Sequence, residues 1–293
     1  MESVNEKLTG YRAFIESFLE GFLPEGEESE KTLEAMRYSL LGGGKRVRGI
    51  LTLASCELVC GNYELAAPAA AAVEMIHAYS LIHDDLPCMD DDSLRRGKPS
   101  CHIAFGEAVA LLAGDALLTL AFEALSYIRD PLKARTCVSL LAKAGGYRGM
   151  VRGQELDGAA EGIKCFGLDK LNEMHSLKTG ALFSAAAGMG AVLGNGNENE
   201  IGTARQYAEK IGLAFQIIDD ILDVTEDEKT LGKLPNSDMR ANKSTYITVC
   251  GIDKSKLIAN ELTDEAAALI DGSFGDRAGF LCQFAEYLKT RIN

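Results

Sequence analysis

Two aspartate clusters, 135 positions apart and each set in an apolar helical run, constrain this chain more than any other feature. The first reads His83-Asp84-Asp85-Leu86-Pro87-Cys88-Met89-Asp90-Asp91-Asp92, followed at once by Ser93-Leu94-Arg95-Arg96-Gly97. The second reads Phe215-Gln216-Ile217-Ile218-Asp219-Asp220-Ile221-Leu222-Asp223. On a helix Asp219 and Asp223 share a face, with Asp220 beside them. Crowding carboxylates is costly because each raises the pKa of its neighbours, and a bound divalent cation removes that cost. A solvated acidic patch would explain either cluster alone. Two of them, with basic clusters elsewhere, point to a cation-bridged anion between facing helical walls.

Magnesium suits such a layout, since it keeps several waters and takes one or two carboxylates plus phosphate oxygens. The first cluster puts Asp84 at a helix C-terminus and Asp90 in the turn after Pro87, so separate oxygens can converge on more than one ion. An EF-hand is excluded, because neither cluster has the D-x-D-x-D-G spacing with glutamate at position twelve.

The chain reads as helix after helix. Amphipathic residues 3–20 open it, and 24–28 form an acidic loop. A helix over 31–41 ends at Gly42-Gly43-Gly44, and 46–60 form the next. Residues 66–86 make a long alanine-rich helix, with Pro68 tolerated in its first turn and Pro87 stopping it. Residues 106–128 follow, and Asp130-Pro131 reads as an N-cap with proline at the first helical position. Helices over 168–193 and 199–226 come next, the former ending in Gly194-Asn195-Gly196, a left-handed cap. Residues 227–242 are loop-like and a helical tail closes the chain. Strand-type alternation is scarce, and no repeat or linker divides the sequence, so residues 1–293 are expected to form one all-α domain.

The 293 residues, 47% of them hydrophobic, can fill a large core, and the net charge of −13 argues against nucleic acid as a partner. Eight scattered cysteines without CxxC spacing predict neither a disulfide framework nor a zinc site. The start lacks the basic and apolar regions of a signal peptide. The apolar run 183–194 is too short to span a bilayer, so no transmembrane segment and a cytoplasmic location are expected.

Four basic stretches complete the pattern. Gly43-Gly44-Lys45-Arg46-Val47-Arg48 places cations at a helix start, where backbone N–H groups add to the positive field. Arg95 and Arg96 follow the first aspartates, and arginine grips phosphate through two parallel hydrogen bonds. Lys178 interrupts an apolar helix, where a buried lysine needs an anionic partner. Lys233 and Lys243 flank the loop after the second cluster. A lone helical histidine is more often a core residue than a ligand. His77, seven residues before Asp84 on nearly the same face, escapes that reading because of the anion chemistry beside it.

Together these residues resemble the trans-prenyltransferases, the all-trans isoprenyl diphosphate synthases. The likeness runs from about Tyr38 to Tyr246 through Gly43-Gly44-Lys45-Arg46-x-Arg48, Glu74 to Gly97, Gly106-Glu107, Ala113-Gly114-Asp115-Ala116, Gly149-Met150-Val151-x-Gly153-Gln154, Lys178-Thr179, the second aspartate cluster and Lys243-Ser244-Thr245-Tyr246. The resemblance implies a bundle of long helices around a deep apolar cavity, a homodimer, and head-to-tail condensation of isopentenyl diphosphate with an allylic diphosphate. By the same resemblance Asp84, Asp90 and Asp219, completed by Asp85, Asp220 and Asp223, hold about three Mg2+ ions that grip the allylic diphosphate. Arg95, Lys178 and Lys233 add positive charge around that leaving group. Thr179 and Gln216 sit near the reacting carbons, and Lys45, Arg48, His77 and Arg96 match the isopentenyl diphosphate site.

Pro87-Cys88 within the first motif and Tyr79, with Ser80 beside it, resemble bacterial farnesyl diphosphate synthases. A ring just over one helical turn from Asp84 would floor the cavity at a fifteen-carbon product. Plant-type geranylgeranyl synthases share a similar Asp-Asp-Leu-Pro-Cys-Met-Asp string, so a twenty-carbon product is the alternative. Gly49 stands where the family usually has proline, Asn242 and Ile247 where glycine and proline are common, and Arg152 at a spot usually small or uncharged. A class I terpene cyclase would lack the isopentenyl site, and a non-catalytic partner subunit would have lost one aspartate cluster.

Overall fold

A computed structural model describes residues 3–25, 30–160, 167–225 and 244–292. The first helix, α1 (Val4–Phe22), starts at a capping box in which Ser3 and Glu6 satisfy each other's backbone N–H groups. Its Leu8, Tyr11, Ile15 and Leu19 recur at helical spacing and are all buried. Then come α2 (Lys31–Leu40), α3 (Val47–Cys60) and α4 (Ala67–Asp84). Proline is tolerated in the first turn of α4, and the helix stops three residues before Pro87, which cannot continue it.

After α4 the chain makes the one pairing of strands among the described residues, β1 (Leu94–Arg95) against β2 (Lys98–Pro99). Arg96 and Gly97 at its tip both have positive φ, the requirement of a type I′ hairpin turn. Pattern reading misses this hairpin, because two-residue strands show no alternation.

The helices α5 (Cys101–Phe105), α6 (Glu107–Ser126), α7 (Pro131–Gly145) and α8 (Met150–Ala160) follow. The expected cap of α7 is present, with Asp130 accepting from the N–H groups of Leu132 and Lys133. The apolar run expected as one helix is divided into α9 (Leu168–His175), a π-helical turn over Ser176–Gly180, and α10 (Ala181–Leu193). Last are α11 (Glu198–Thr225), α12 (Tyr246–Cys250), α13 (Ile252–Phe274) and α14 (Gly279–Lys289).

The chain is all-α, and one hydrophobic cluster runs from α1 to α14. Glycines set its closest approaches. A Cβ at Gly190 of α10 would lie 2.1 Å from the Thr52 carbonyl oxygen of α3, and one at Gly114 of α6 would strike the His83 ring of α4. Three stretches, 64–84, 107–126 and 168–193, are apolar and long enough to cross a membrane by length and composition alone, which the run 183–194 did not foretell. In the first and third, 72% and 78% of the window is buried inside the fold; in α6 the share is 44%. All seven cysteines among the described residues are free.

Candidate active site

The glycine turn before α3 sorts its cations. Gly43 and Gly44 take φ of +93° and +131°, and Arg46 follows at +52°. The turn leaves Lys45 exposed and sends Arg46 inward, where it pairs with buried Glu74 at 3.4 Å and donates to the Leu40 carbonyl oxygen at 2.5 Å. Arg46 is therefore part of the core. Gly49, where the family usually has proline, donates its N–H to Glu74 Oε1 at 2.8 Å, so the departure gives Glu74 a second partner. Arg48 lies with its guanidinium 4.8 Å from the Phe183 ring centroid, and burial lowers it to about 10.

His77 projects from α4 into the field of these arginines. Burial, then the charges of Arg48, Arg96, Arg95 and Arg46, hold its imidazole well below the usual range. Arg96, at the hairpin tip, donates to the Gly43 carbonyl oxygen and packs where Gly44 has no Cβ. Three segments far apart in sequence thus bring Arg48 and Arg96 beside His77, and Lys45 leaves the same glycine turn toward Asp219.

The first aspartate cluster folds back on the end of α4. The Asp90 N–H donates to the Asp84 carbonyl oxygen at 2.9 Å, and those of Met89 and Asp91 donate to Leu86 at 2.8 and 3.2 Å. Pro87 and Cys88 form the bend that makes this return possible. Asp85 is buried, and Arg95 Nε lies 3.0 and 3.2 Å from its two oxygens, with Nη2 adding a further contact and reaching Asp92 at 3.2 Å. Arg95 braces the cluster in this conformation, and Asp84 and Asp90 remain partly exposed.

The second cluster is braced differently. Gln216 Nε2 donates to Asp220 Oδ1 at 2.9 Å, and the Tyr246 N–H donates to Oδ2 at 3.0 Å. Thr179 donates to Gln216 Oε1 at 3.0 Å, so one chain of hydrogen bonds joins the π turn, α11 and α12. Asp223 is buried. Asp219 lies 3.7 Å from Lys45 Nζ and 3.6 Å from Arg291 Nη1. Among the described residues no three acidic, histidine or cysteine side chains converge as a ready-made metal cage.

The anionic partner that Lys178 requires is Asp157 of α8, buried and 2.5 Å from the ammonium. Gly153 makes the pairing possible, since a Cβ there would sit 2.2 Å from the Lys178 backbone nitrogen. The π turn, a form frequent at functional sites, aims Lys178 and Thr179 at α8 and α11. Sequence reading passed over Asp157, although an acid four residues after Gly153 is the signal that finds it. Lys233, Lys243 and Asn242 lie outside the described residues. Arg152 pairs with Glu155 at 2.6 Å on the surface.

Tyr79 is packed as core. It is buried, its hydroxyl donates to the Gly145 carbonyl oxygen of α7 at 3.4 Å, and its ring meets His83 edge-on at 5.7 Å. Ser80 donates back to the His77 carbonyl oxygen at 2.9 Å.

A model of the polyprenyl synthetase family matches residues 29–269. The geranylgeranyl pyrophosphate synthase 11, chloroplastic, of Arabidopsis thaliana is 51% identical over 266 residues, 89% of this chain and 74% of that protein. The same plant's heterodimeric geranylgeranyl pyrophosphate synthase large subunit 1 is 50% identical over 273 residues, covering 91% and 74%. Among solved structures, a geranyltransferase from Helicobacter pylori complexed with magnesium and isoprenyl diphosphate superposes with a TM-score of 0.85 at 31% identity, covering 99% and 98%. The fifteen-carbon expectation drawn from Tyr79 and Pro87-Cys88 is overturned by this identity to geranylgeranyl synthases. The physical reason is that the Tyr79 hydroxyl and ring are already engaged with α7 and His83, as core, and Pro87-Cys88 serve the return of Asp90 to Asp84.

Proposed function

The chain belongs to the polyprenyl synthetase family, and we propose that within it the protein condenses isopentenyl diphosphate with allylic diphosphates to a twenty-carbon geranylgeranyl diphosphate. The observation that carries the reading is about half-identity to geranylgeranyl synthases across nine-tenths of the chain, in a protein that keeps both aspartate clusters.

Asp84 and Asp90 from one wall and Asp219 from the other would hold about three Mg2+ ions, the number the resemblance implies. Bound there, the metal supplies Lewis-acid stabilisation of the charge that grows on the departing diphosphate. Lys178, fixed by Asp157, and Arg95, fixed by Asp85, add fixed positive charge beside that group without reorganising. Lys233 is assigned the same role by resemblance. Lys45, Arg48 and Arg96 bind the isopentenyl diphosphate, and His77, kept neutral by burial and by the arginines around it, offers an N–H to the same anion. Thr179 and Gln216 present oxygen dipoles toward the allylic carbons, where positive charge develops. The apolar side chains around them exclude water from that cation. The proton lost after carbon–carbon bond formation goes to the released diphosphate, so no protein base is assigned.

Self-association belongs to the same reading. The face of α6 left uncovered carries Leu111 and Leu112, exposed by 47% and 54%, and supports the homodimer that the resemblance implies.

The test is product analysis. Incubation with magnesium, isopentenyl diphosphate and dimethylallyl diphosphate is expected to end in a twenty-carbon diphosphate by mass spectrometry. Accumulation of a shorter product that is refused as a primer when added back would reject the assignment of chain length and keep the family.

A further inference from the structure

The end of α3 carries two thiols that the reaction above does not use. Cys56 and Cys60, about one helical turn apart, bring their sulfurs to 4.0 Å, and each donates to the Asn62 carbonyl oxygen, at 3.2 and 3.3 Å. Cys56 is buried and Cys60 is exposed. Cys60 lines a surface cleft of about 360 Å³ where α1, the end of α3 and the start of α14 meet. Two cations stand in that cleft. Lys7 Nζ lies 5.6 and 5.2 Å from the ring centroids of Tyr11 and Phe280 and pairs with Glu57 at 2.9 Å. Arg277, in the turn before α14, donates through Nη1 to the carbonyl oxygens of Leu58 and Val59 at 3.4 and 3.3 Å. Its Nη2 stands 3.5 Å from Glu200, and half of its side chain is exposed.

We propose that Cys60 is a modification site, thiolated by the disulfide of a small acidic peptide such as glutathione, whose carboxylates Lys7 and Arg277 receive. The Cys60 thiolate attacks one sulfur of the peptide disulfide. The S–S bond of the reagent breaks, a new one joins Cys60 to half of it, and the other half leaves as a thiolate that takes up a proton. Cys60 is oxidised and the released half is reduced, so no further oxidant is needed.

Charge selects the partner. The chain carries a net charge of −13, yet two cations flank this thiol. The other exposed cysteine among the described residues, Cys88, sits in the bend between Asp85 and Asp90. A disulfide bearing several carboxylates is drawn to the first thiol and repelled from the second. Helix geometry then decides the product. Side chains four apart on a helix hold their Cβ atoms roughly 5–6 Å apart, whereas a disulfide needs roughly 3.5–4.5 Å. Closing Cys56 on Cys60 would therefore unwind the last turn of α3. That turn is fastened by the Gly61 N–H to the Glu57 carbonyl oxygen at 2.7 Å and by Arg277 to Leu58 and Val59. Burial also pushes the Cys56 thiol up, which keeps it protonated and a poor nucleophile. The mixed disulfide at Cys60 is thus the end product.

Peptide mass spectrometry tests this cysteine by cysteine. The full chain, reduced and then freed of reductant, is incubated with glutathione disulfide or with the neutral 2-hydroxyethyl disulfide, and the rate at each thiol is followed. The preference for Cys60 over Cys88 is expected to be about 10-fold larger with glutathione disulfide than with the neutral reagent. In Lys7→Gln the Cys60 rate is expected to fall about 5-fold with glutathione disulfide and to stay within about 2-fold with the neutral one. Cys60 is expected to keep the peptide, with Cys56 unmodified. A preference no larger with glutathione disulfide, a K7Q rate that changes by the same factor for both reagents or for neither, or a Cys56–Cys60 disulfide in place of the mixed one would overturn the proposal. Should melting show that K7Q does not fold, the two-reagent comparison on the unaltered chain decides by itself. No reading involves prenyl transfer, so failure here and failure of the twenty-carbon assignment would appear separately.

Discussion

At the end of α4 the carboxylate that follows Asp84 is held by a guanidinium; on α11 the carboxylate that follows Asp219 is held by an amide and a backbone N–H. Each cluster has the same division of labour, with one aspartate fixed and its neighbour left toward the site. The braces differ in charge, and so does the way each cluster is neutralised. In the first, the cation Arg95 is spent on Asp85 and ties the cluster to the hairpin. In the second, the described donors to Asp220 are an amide and a backbone N–H, and two cations stand 3.7 and 3.6 Å from Asp219 itself. The comparison teaches that, among the described residues, the carboxylate facing the site in the second cluster has two cations beside it, placed to change partners when a metal or an anion arrives.

Removing the facing carboxylates should have the largest effect. Asp84→Asn and Asp219→Asn are each expected to lower kcat by about 10³-fold, about 4 kcal/mol of lost transition-state stabilisation, with little change in melting temperature. Turnover within about 10-fold of the wild type would dissolve the distinction between facing and braced aspartates.

The braces themselves should separate on stability. Asp85→Asn leaves Arg95 short of its buried partner and is expected to destabilise the fold by about 3 kcal/mol in denaturant unfolding. Asp220→Asn weakens the hydrogen bonds that Gln216 and the Tyr246 N–H donate to a carboxylate and is expected to lose about 1.5 kcal/mol. Equal losses would show that the Arg95 ion pair adds nothing beyond the hydrogen bonds to Asp220.

The smallest effect concerns pH. His175 is buried beside Lys178, with its ring stacked on Tyr246, and burial lowers it to about 4. A depressed histidine contributes stability above its unfolded pKa and loses it as pH falls from about 6.5 to about 4. His175→Gln is expected to flatten the fall in unfolding free energy over that window by at most about 1.4 kcal/mol per pH unit. His77, depressed in the same direction, accounts for a second proton. An unchanged slope in the variant would mean that His175 is protonated in the fold.

Much of this was legible in the residues. Pro68, Pro87 and Asp130-Pro131 punctuate the helices where the structure begins and ends them, and the apolar periodicity of α1 marks its buried face. The sequence also announced that Lys178 needs an acid, without saying which. Partners separated by long stretches of chain resist such reading: Glu74 under Arg46 and Gly49, the Tyr246 N–H on Asp220, and Arg291 beside Asp219 follow from packing, which no local pattern encodes. The π turn escaped because an added residue within a helix leaves the apolar run intact. Tyr79 misled because its position below Asp84 is a matter of helical spacing, while its role depends on where α7 lies.

The most direct test of the metal-bridged site is diphosphate release by the purified chain alone, from isopentenyl and dimethylallyl diphosphates, first with magnesium and then with chelator. Turnover that vanishes on chelation and returns with added magnesium is the expected result. Undiminished turnover in chelator, or none under either condition even when geranyl or farnesyl diphosphate is the primer, would contradict the account.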